Sequence, residues 1–495
     1  MPCLTVLAHP DGAWVGARAV LRELAAGREA TLSRLEPDFL VPGEDGARPL
    51  ADPFVSRRPW RLAPLGDGGV RLLGGEAKSA LTVAGEPVAG RRDLDRADVE
   101  RGVALVLAGR VALLLHVTSA APLPALPDYG LVGESLAMVR LRQEIRQVAD
   151  FDVPVLLRGE TGTGKELVAR ALHDASRRRG GPFLAINMAA VPPSLAAAEL
   201  FGAARGAFTG AERRQVGFFQ RADAGTLFLD EIGETPADVQ PLLLRALETR
   251  QIQPLGGEPQ EVDVRLIAAT DADLEERIEA GGFRAPLLYR LNGYEIVLPP
   301  LRRRRDDLGR LLFHFLRQEL RAAGAEHRLA PPPPGGEPWM PAAAVARLAA
   351  YDWPGNVREL RNAARQIVVG YRAANRAGLG PQLERLLGSP APETQGPPPR
   401  PRSRKPAEVG EEEMIAALRE HRWQVKAAAR RLGISRASLY LLMERSPRIR
   451  KAADLGRGEI EACRERHGGD LAAAAAELEV SEDGLRQRLR ALETE

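Results

Sequence analysis

Gly159-Glu160-Thr161-Gly162-Thr163-Gly164-Lys165 is a run whose residue types and spacing suit one chemistry. It follows the apolar stretch Val153-Pro154-Val155-Leu156-Leu157 and precedes a helical pattern from Leu167 to Leu172. Strand, glycine-rich turn and helix in that order make a phosphate-binding P-loop. The glycines let backbone N–H groups curl round phosphates, the helix start adds positive potential, and Lys165 reaches the β- and γ-phosphates. Glu166 stands where such loops normally carry Ser or Thr, so the usual hydroxyl ligand for magnesium is replaced. A second apolar run, Thr226-Leu227-Phe228-Leu229, ends in Asp230-Glu231. A carboxylate at a strand's C-terminal edge can hold Mg2+, and its neighbour can polarise an attacking water. The pair of motifs predicts hydrolysis of ATP. That reaction also needs positive charge on the γ-phosphate, worth about 10³ to 10⁵ in rate when an arginine supplies it. Only five of the 69 basic residues are lysines, so composition does not single out the arginine.

These groups need elements to hold them. Between residues 129 and 376, Phe183-Leu184-Ala185-Ile186 and Val264-Arg265-Leu266-Ile267-Ala268 join the two runs above in alternating with helical patterns. Continuous apolar strands between helices predict a parallel sheet buried on both faces, hence an α/β P-loop domain with a helical lid. Ten of the twelve phenylalanines lie from Phe151 to Phe315, where the largest core belongs. Pro331 to Pro341 (PPPPGGEPWMP) predicts an exposed, non-helical loop within the lid.

On either side the texture differs. Residues 1–118 hold short β-like runs broken by Gly and Pro, such as Val70-Arg71-Leu72-Leu73 and Leu81-Thr82-Val83, and predict an all-β domain. Val103 to Val117 is the most apolar stretch, but it contains Arg110 and falls short of the ~20 residues that cross a bilayer. It reads as two strands around a Gly109-Arg110 turn. No basic start followed by an apolar run opens the chain, which predicts a cytoplasmic protein. Two cysteines, Cys3 and Cys463, exclude a disulfide scaffold and a multi-cysteine metal site. Ala120 to Asp128 reads as a Pro-rich connector, and residues 377–410 as a linker whose Ser389–Pro406 part is rich in Pro and Arg.

Beyond the linker the chain repeats itself at an offset of 46 residues: Val425, Leu432, Ile434, Ser435 and Leu439 correspond to Leu471, Leu478, Val480, Ser481 and Leu485. Each copy predicts helices around a turn, the first over 411–451 and the second over 456–495. The net charge of +3 hides their difference. Residues 1–118 balance 15 basic against 15 acidic residues, 400–451 carry 14 against 6, and 452–495 carry 6 against 11. The first copy has the electrostatic footprint of a DNA-binding segment. The second opens its equivalent helix with Glu482-Asp483 and predicts a protein contact instead.

Taken together these motifs resemble the sigma-54-dependent transcriptional activators, bacterial enhancer-binding proteins of the AAA+ class. The resemblance covers Tyr129 to about Arg376 and the first C-terminal repeat. Its most specific element is the unbroken string Gly206-Ala207-Phe208-Thr209-Gly210-Ala211. In the family this loop contacts the sigma factor, which implies that Phe208 and Thr209 touch sigma-54 and remodel the closed promoter complex. By the same resemblance Asn187 is the switch asparagine paired with Glu231, and Thr270 the sensor I threonine. Arg284 and Arg290 correspond to arginine fingers donated by a neighbouring subunit, and Arg358, in WPGNVREL, to the sensor II arginine. Fingers that act across a subunit boundary imply a ring, typically a hexamer. Departures from the family pattern are Asp271 for asparagine, Pro286 for an acidic residue, and Ala203-Ala204-Arg205 for a His-Glu-Lys-like run.

The first repeat looks like the family's Fis-type helix-turn-helix, with Val425 to Leu432, a turn at Gly433-Ile434, and a recognition helix over Ser435 to Arg445. Ser435 is a good N-cap, and Arg436, Ser438 and Tyr440 lie where base edges are reached. Residues 28–117 resemble a forkhead-associated domain, a β-sandwich that binds phosphothreonine. Arg34, Ser56 and Arg57 match its phosphate-contacting residues, whereas Pro59 replaces a usual histidine and Ser79-Ala80 a usual Asn-Gly. The expected function is therefore ATP-driven activation of sigma-54 RNA polymerase from upstream DNA. The alternatives are a DNA-bound regulator whose ATPase module only drives oligomerisation, and another AAA+ remodeller; the intact Phe208-Thr209 pair speaks against both.

Overall fold

The computed structural model describes residues 1–119, 126–207, 214–333, 336–388 and, of 409–495, all but 422, 433–438, 440, 441, 444, 445, 447, 450–454, 468, 469, 481–484, 487 and 490–495. The chain forms two compact units, Met1–Pro392 and Glu393–Glu495.

The first unit opens on the predicted β domain. In chain order it contains β1 (Pro2–Ala8), β2 (Arg18–Val20), the helical turn α1 (Arg22–Ala25), β3 (Ala30–Leu32), β4 (Asp38–Leu40) and β5 (Ala47–Pro49). β6 (Trp60–Pro64), β7 (Val70–Leu73), β8 (Leu81–Val83), β9 (Glu86–Pro87), β10 (Arg91–Leu94), α2 (Arg96–Arg101), β11 (Val103–Leu107) and β12 (Val111–Val117) follow. They pair as an eight-stranded sheet, β5-β4-β2-β1-β12-β11-β8-β9, and a four-stranded sheet, β10-β7-β6-β3. The sheets enclose a core that includes Leu4, Phe39, Trp60, Leu62, Leu72 and Leu113. The predicted turn stands between β11 and β12, where Ala108 and Gly109 both take positive φ. β1 sits in the middle of the larger sheet, so the domain includes residues ahead of the stretch 28–117 that carries the forkhead-associated resemblance.

The central fold is the expected parallel sheet. α3 (Leu136–Val148), β13 (Val155–Arg158), α4 (Lys165–Asp174), β14 (Phe183–Asn187), α5 (Pro193–Phe201), α6 (Phe218–Arg221) and β15 (Thr226–Asp230) lead into α7 (Gln240–Thr249). A small hairpin of β16 (Gln251–Ile252) and β17 (Gln260–Glu261) follows, then β18 (Arg265–Thr270), α8 (Leu274–Glu279), α9 (Ala285–Leu291) and β19 (Tyr294–Val297). The strand order is β14-β15-β18-β13-β19, all parallel. β13 therefore lies inside the sheet, and the loop after it opens at the carboxyl edge, where α/β proteins bind ligands.

α10 (Leu308–Ala322), α11 (Ala342–Ala350), α12 (Asn356–Tyr371) and α13 (Gly380–Gly388) form the lid. Fully buried Trp353 anchors it, with its indole N–H donating to the Leu348 carbonyl over 2.9 Å. Two sequence expectations change here. α13 falls within the stretch that reads as linker, and its Leu383 enters the lid core. The described residues of the Pro331–Pro341 segment are non-helical as expected, but Trp339 and Met340 are buried rather than exposed.

Helices α10 and α11 also pack on the β domain. Along β11 and β12, Leu105, Leu107, Leu113 and Leu115 face the sandwich core, whereas Ala104, Val106, Ala112 and Leu114 join the lid core. Two-faced burial is why Val103 to Val117 reads as continuously apolar rather than alternating. The approach is close: a Cβ on Gly309 would lie 2.4 Å from the Leu7 carbonyl oxygen. Arg18 Nη2 and Asp306 Oδ2 pair at 2.9 Å across the same seam.

The second unit contains α14 (Glu411–Glu420) and α15 (Val425–Leu432), then helices Arg457–Arg466 and Leu471–Glu477. The two copies have separate small cores, one around Trp423 and Leu439 and one around Ile460 and Leu485. Among the described residues no helix is long and apolar enough to cross a membrane.

Candidate active site

The P-loop runs from the end of β13 into α4. Gly162 and Gly164 have φ of +80° and +104°, a region glycine enters without a Cβ penalty. The Gly159 N–H donates to the Thr270 carbonyl at 3.2 Å, tying the loop to β18. Thr163 closes the turn by donating its N–H and its hydroxyl to the Glu160 carbonyl, at 3.3 and 2.7 Å. Lys165 is the first residue of α4 and is largely buried; its ammonium donates to the Gly159 carbonyl at 2.9 Å and stands 3.6 Å from Glu231 Oε1. The cation is thus folded back over the cradle, held by partners that a phosphate can replace. Glu166, one residue on, is exposed.

β14 and β15 bring the carboxylates alongside in a register that sets Asn187 opposite Asp230. The Asn187 amide donates to Asp230 Oδ2 at 3.4 Å, while its Oδ1 accepts from the Ala189 N–H at 2.9 Å. The family resemblance pairs this asparagine with Glu231; it contacts Asp230 instead, because strand register places it there. Glu231 occupies the left-handed region at φ +51° and accepts from the Asp271 N–H at 3.5 Å. Burial pushes the Glu231 carboxyl above the ordinary carboxylate range; Lys165 opposes the shift, and Asp271 and Asp230 add to it. Asp271, one of the departures from the family pattern, accepts from the Thr161 hydroxyl at 2.5 Å and so helps fix the P-loop. Thr270 is buried at the end of β18, its hydroxyl accepting from the Ala272 N–H at 3.0 Å.

The lid closes the site from above. The N–H groups of Val357 and Arg358 donate to the Gly162 carbonyl at 3.0 and 3.3 Å, so α12 begins on the P-loop itself. A Cβ on Gly162 would lie 2.4 Å from the Gly355 carbonyl oxygen. Arg358 is exposed beside the loop. Sequence reasoning misses a second tie: Arg302 grips Glu160 with both guanidinium nitrogens, at 2.7 and 2.5 Å, and the Asn356 amide donates to the same carboxylate at 3.1 Å. These contacts hold the Glu160 carboxyl below its usual range, with the Arg302 bonds the largest cause. It also misses the apolar cavity beside the loop, lined by Leu131, Val132, Leu167, Leu311, Phe315 and Val357 from segments far apart in sequence.

The two expected fingers lie elsewhere on this chain. Arg284 caps the start of α9 and is exposed, and exposed Arg290 donates to the Leu247 carbonyl at 3.2 and 3.0 Å. The loop carrying the GAFTGA string rises from a clamped stem, where Ala203 and Gln215 exchange backbone bonds of 3.0 and 2.9 Å. Gly206 and Ala207 belong to that stem; Phe208 and Thr209 lie outside the described residues, as do Ser435, Arg436, Ser438 and Tyr440. In the β domain the Arg34 N–H donates to the Ser56 carbonyl at 3.1 Å and the Ser56 N–H to the Ser79 hydroxyl at 2.6 Å. Arg34 and Ser56 are thereby neighbours, with Arg57 exposed next to them.

Comparison with known proteins follows the same map. A family model described as the sigma-54 interaction domain matches residues 131–297, one for an AAA+ ATPase lid domain matches 302–375, and one for Fis-family bacterial regulatory proteins matches 405–445. The DNA-binding transcriptional regulator NtrC of Escherichia coli is 48% identical over 244 residues, 49% of this chain and 50% of that protein. The transcriptional regulatory protein ZraR of Salmonella typhimurium is 42% identical over 329 residues, 66% of this chain and 70% of the relative. The solved structure of NtrX from Brucella abortus in complex with ATP is 30% identical, spans 73% of this chain and 69% of that one, and superposes with a TM-score of 0.46. The chain spans about half the length of the Escherichia coli NtrC and of the C4-dicarboxylate transport transcriptional regulatory protein DctD of Pseudomonas aeruginosa. The central domain is an AAA+ P-loop ATPase domain, followed by its lid.

Proposed function

This chain belongs to the family of sigma-54-dependent transcriptional activators, and from that premise we propose that it hydrolyses ATP to remodel the sigma-54 RNA polymerase closed complex from an upstream DNA site. The observation that carries this is the GAFTGA string of residues 206–211, mounted on a clamped stem between the P-loop and the Asp230-Glu231 strand. Hydrolysis at the sheet edge can thereby move the segment that carries the aromatic Phe208 beside the hydroxyl of Thr209.

The residues fit ATP. The apolar cavity accepts the nucleoside, the glycine cradle the phosphates, and Lys165 exchanges the Gly159 carbonyl and Glu231 for phosphate oxygens. Glu231 accepts a proton from the attacking water, which Asn187 and Asp230 help to position. Asp230 is the carboxylate that would hold Mg2+, which would supply positive charge to the phosphates. Arg284, at the N-cap of α9, and Arg290, within it, are exposed, so they can serve the site of a neighbouring subunit in a ring, as a hexamer would require, with Arg290 exchanging the Leu247 carbonyl for phosphate. Arg358 senses the γ-phosphate from the start of α12. DNA is held by the first repeat through Ser435, Arg436, Ser438 and Tyr440, supported by the 14 basic against 6 acidic residues of 400–451. The β domain is the signal input, with Arg34, Ser56 and Arg57 taking a phosphothreonine.

The test is to trap the chain with a transition-state analogue of ATP and measure capture of sigma-54. We expect stable capture by the wild type and loss with Thr209→Ala. No capture by a wild type with intact ATPase would overturn the remodelling role.

A further inference from the structure

A second cleft of about 490 Å³ opens between the β domain and the ATPase core, within the range of small-molecule sites. Its walls come from α2, the end of β12, the first turn of α3 and the segment 302–306. Five arginines line it: Arg101, Arg140, Arg302, Arg303 and Arg305. Two acidic residues face them, and both are engaged: Glu100 pairs with Arg96 and Asp306 with Arg18. His116 also lines the cleft; burial pulls its pKa down to about 4, so it adds no anion or cation near neutrality.

Three of the arginines, Arg101, Arg140 and Arg303, make no ion pair with a described residue. Arg305 is more than nine-tenths buried, pairs with Asp352, and leaves its Nε with no hydrogen-bond partner among the described residues. Arg101 lies close enough to repel that guanidinium. Converging like charges across a domain seam cost stability unless something anionic enters. The start of α3 also borders this space through Ser135, Leu136 and Ala137, but its leading N–H groups are already engaged: those of Glu134 and Ser135 donate to Asp307 Oδ1 at 2.6 and 2.8 Å, and that of Met138 to the Ser135 hydroxyl, so the arginines carry the site.

We propose that this cleft binds a small, multiply charged phosphate compound, held by Arg101, Arg140 and Arg303. The nucleotide site is a separate pocket with different walls. The two are joined by Arg302, which lines the cleft and also grips Glu160 of the P-loop. A phosphate that draws on Arg302 therefore loosens the clamp on Glu160, so occupancy of the cleft reads out at the ATPase site. The β domain supplies Arg101 and the ATPase domain the rest, which makes the ligand report on how the two domains are seated.

Inorganic pyrophosphate is the probe, titrated calorimetrically at fixed ionic strength into the full chain carrying Lys165→Ala, which disables the nucleotide site. The expected result is one saturable site. Adding Arg101→Gln and Arg140→Gln weakens it by about tenfold or more for each charge-assisted hydrogen bond removed. Both residues are exposed, so the unfolding midpoint of these variants stays within about a degree or two of the parent, and Arg22→Gln, on exposed α1, leaves binding unchanged. Absence of saturable binding in the Lys165→Ala chain, or equal affinity in the double arginine variant, overturns the proposal. Because the nucleotide site is disabled throughout, neither result depends on whether the chain hydrolyses ATP.

Discussion

The P-loop and the β-domain surface proposed to take a phosphothreonine are built in opposite ways. At the P-loop each polar group already has a neighbour: Lys165 is tied to Gly159 and Glu231, Glu160 to Arg302 and Asn356, and Thr161 to Asp271. At the β-domain surface the backbones of Arg34 and Ser56 are tied together, but the Arg34 guanidinium reaches only the Pro53 carbonyl at 3.4 Å among the described residues. The first site sits on the carboxyl edge of a buried parallel sheet, the second on loops between antiparallel strands. Preorganised groups give a transition state stabilisation without reorganisation. Loosely held groups give recognition, where the ligand itself orders the side chain. The first design suits chemistry and the second suits binding.

The contrast breaks most visibly at Lys165. Replacing it with alanine removes the one ammonium aimed at the phosphates, and ATPase turnover should fall by about 10² to 10³ or more; steady-state phosphate release measures it. A residual rate within about threefold of wild type, a loss of well under 1 kcal/mol, would mean the cradle is not the catalytic site. A smaller loss follows Gly162→Ala. The new Cβ would meet the Gly355 carbonyl at 2.4 Å in a left-handed backbone, so the start of α12 must move away from the loop. A shift of about 1 Å in a positioned group costs up to roughly 10² in rate. The lid should also unfold at lower temperature, which calorimetry of the full chain detects. An unchanged rate together with an unchanged unfolding profile would show that the lid seat is not part of the preorganised site.

How far each region is legible from sequence follows the same division. β13, β15 and β18 are legible because strands buried on both faces are continuously apolar, edge strand β14 because it is apolar although only Ile186 of it is buried, and the P-loop because its glycines act locally. β11 and β12 are legible as strands, yet nothing in Ala104, Val106, Ala112 and Leu114 tells that the lid covers them. The Glu160 clamp is hidden because Arg302 and Asn356 lie 142 and 196 residues away. Asn187 is legible as a site residue but not as a partner of Asp230, since strand register, not motif spacing, decides that contact. α13 reads as linker because it opens on Gly380-Pro381, although proline is well tolerated in a helix's first turn. Of the repeat, the first helices are described in both copies: Glu411–Glu420 and Arg457–Arg466 stand at the 46-residue offset, and Gly410 and Gly456 cap them with similar φ and ψ, whereas the turn residues 433–438 and 481–484 lie outside the described residues.

The smallest effect belongs to the loosely held surface and sharpens the comparison from the other side. Arg34→Ala removes a guanidinium held only by the long bond to Pro53 among the described residues, while the backbone bonds to Ser56 and Ala51 are kept. Stability should therefore change by no more than about 0.5 kcal/mol, the usual range for a surface substitution. Binding is another matter, because a phosphothreonine would draw charge-assisted bonds from that side chain. Such bonds are worth about 1.5–3 kcal/mol, so affinity for a phosphothreonine peptide should fall by about tenfold or more. Fluorescence anisotropy against the unphosphorylated peptide separates phosphate recognition from general peptide contact. A loss of stability without a loss of binding would reverse the assignment, making Arg34 a structural residue and placing the input of this domain elsewhere on its surface.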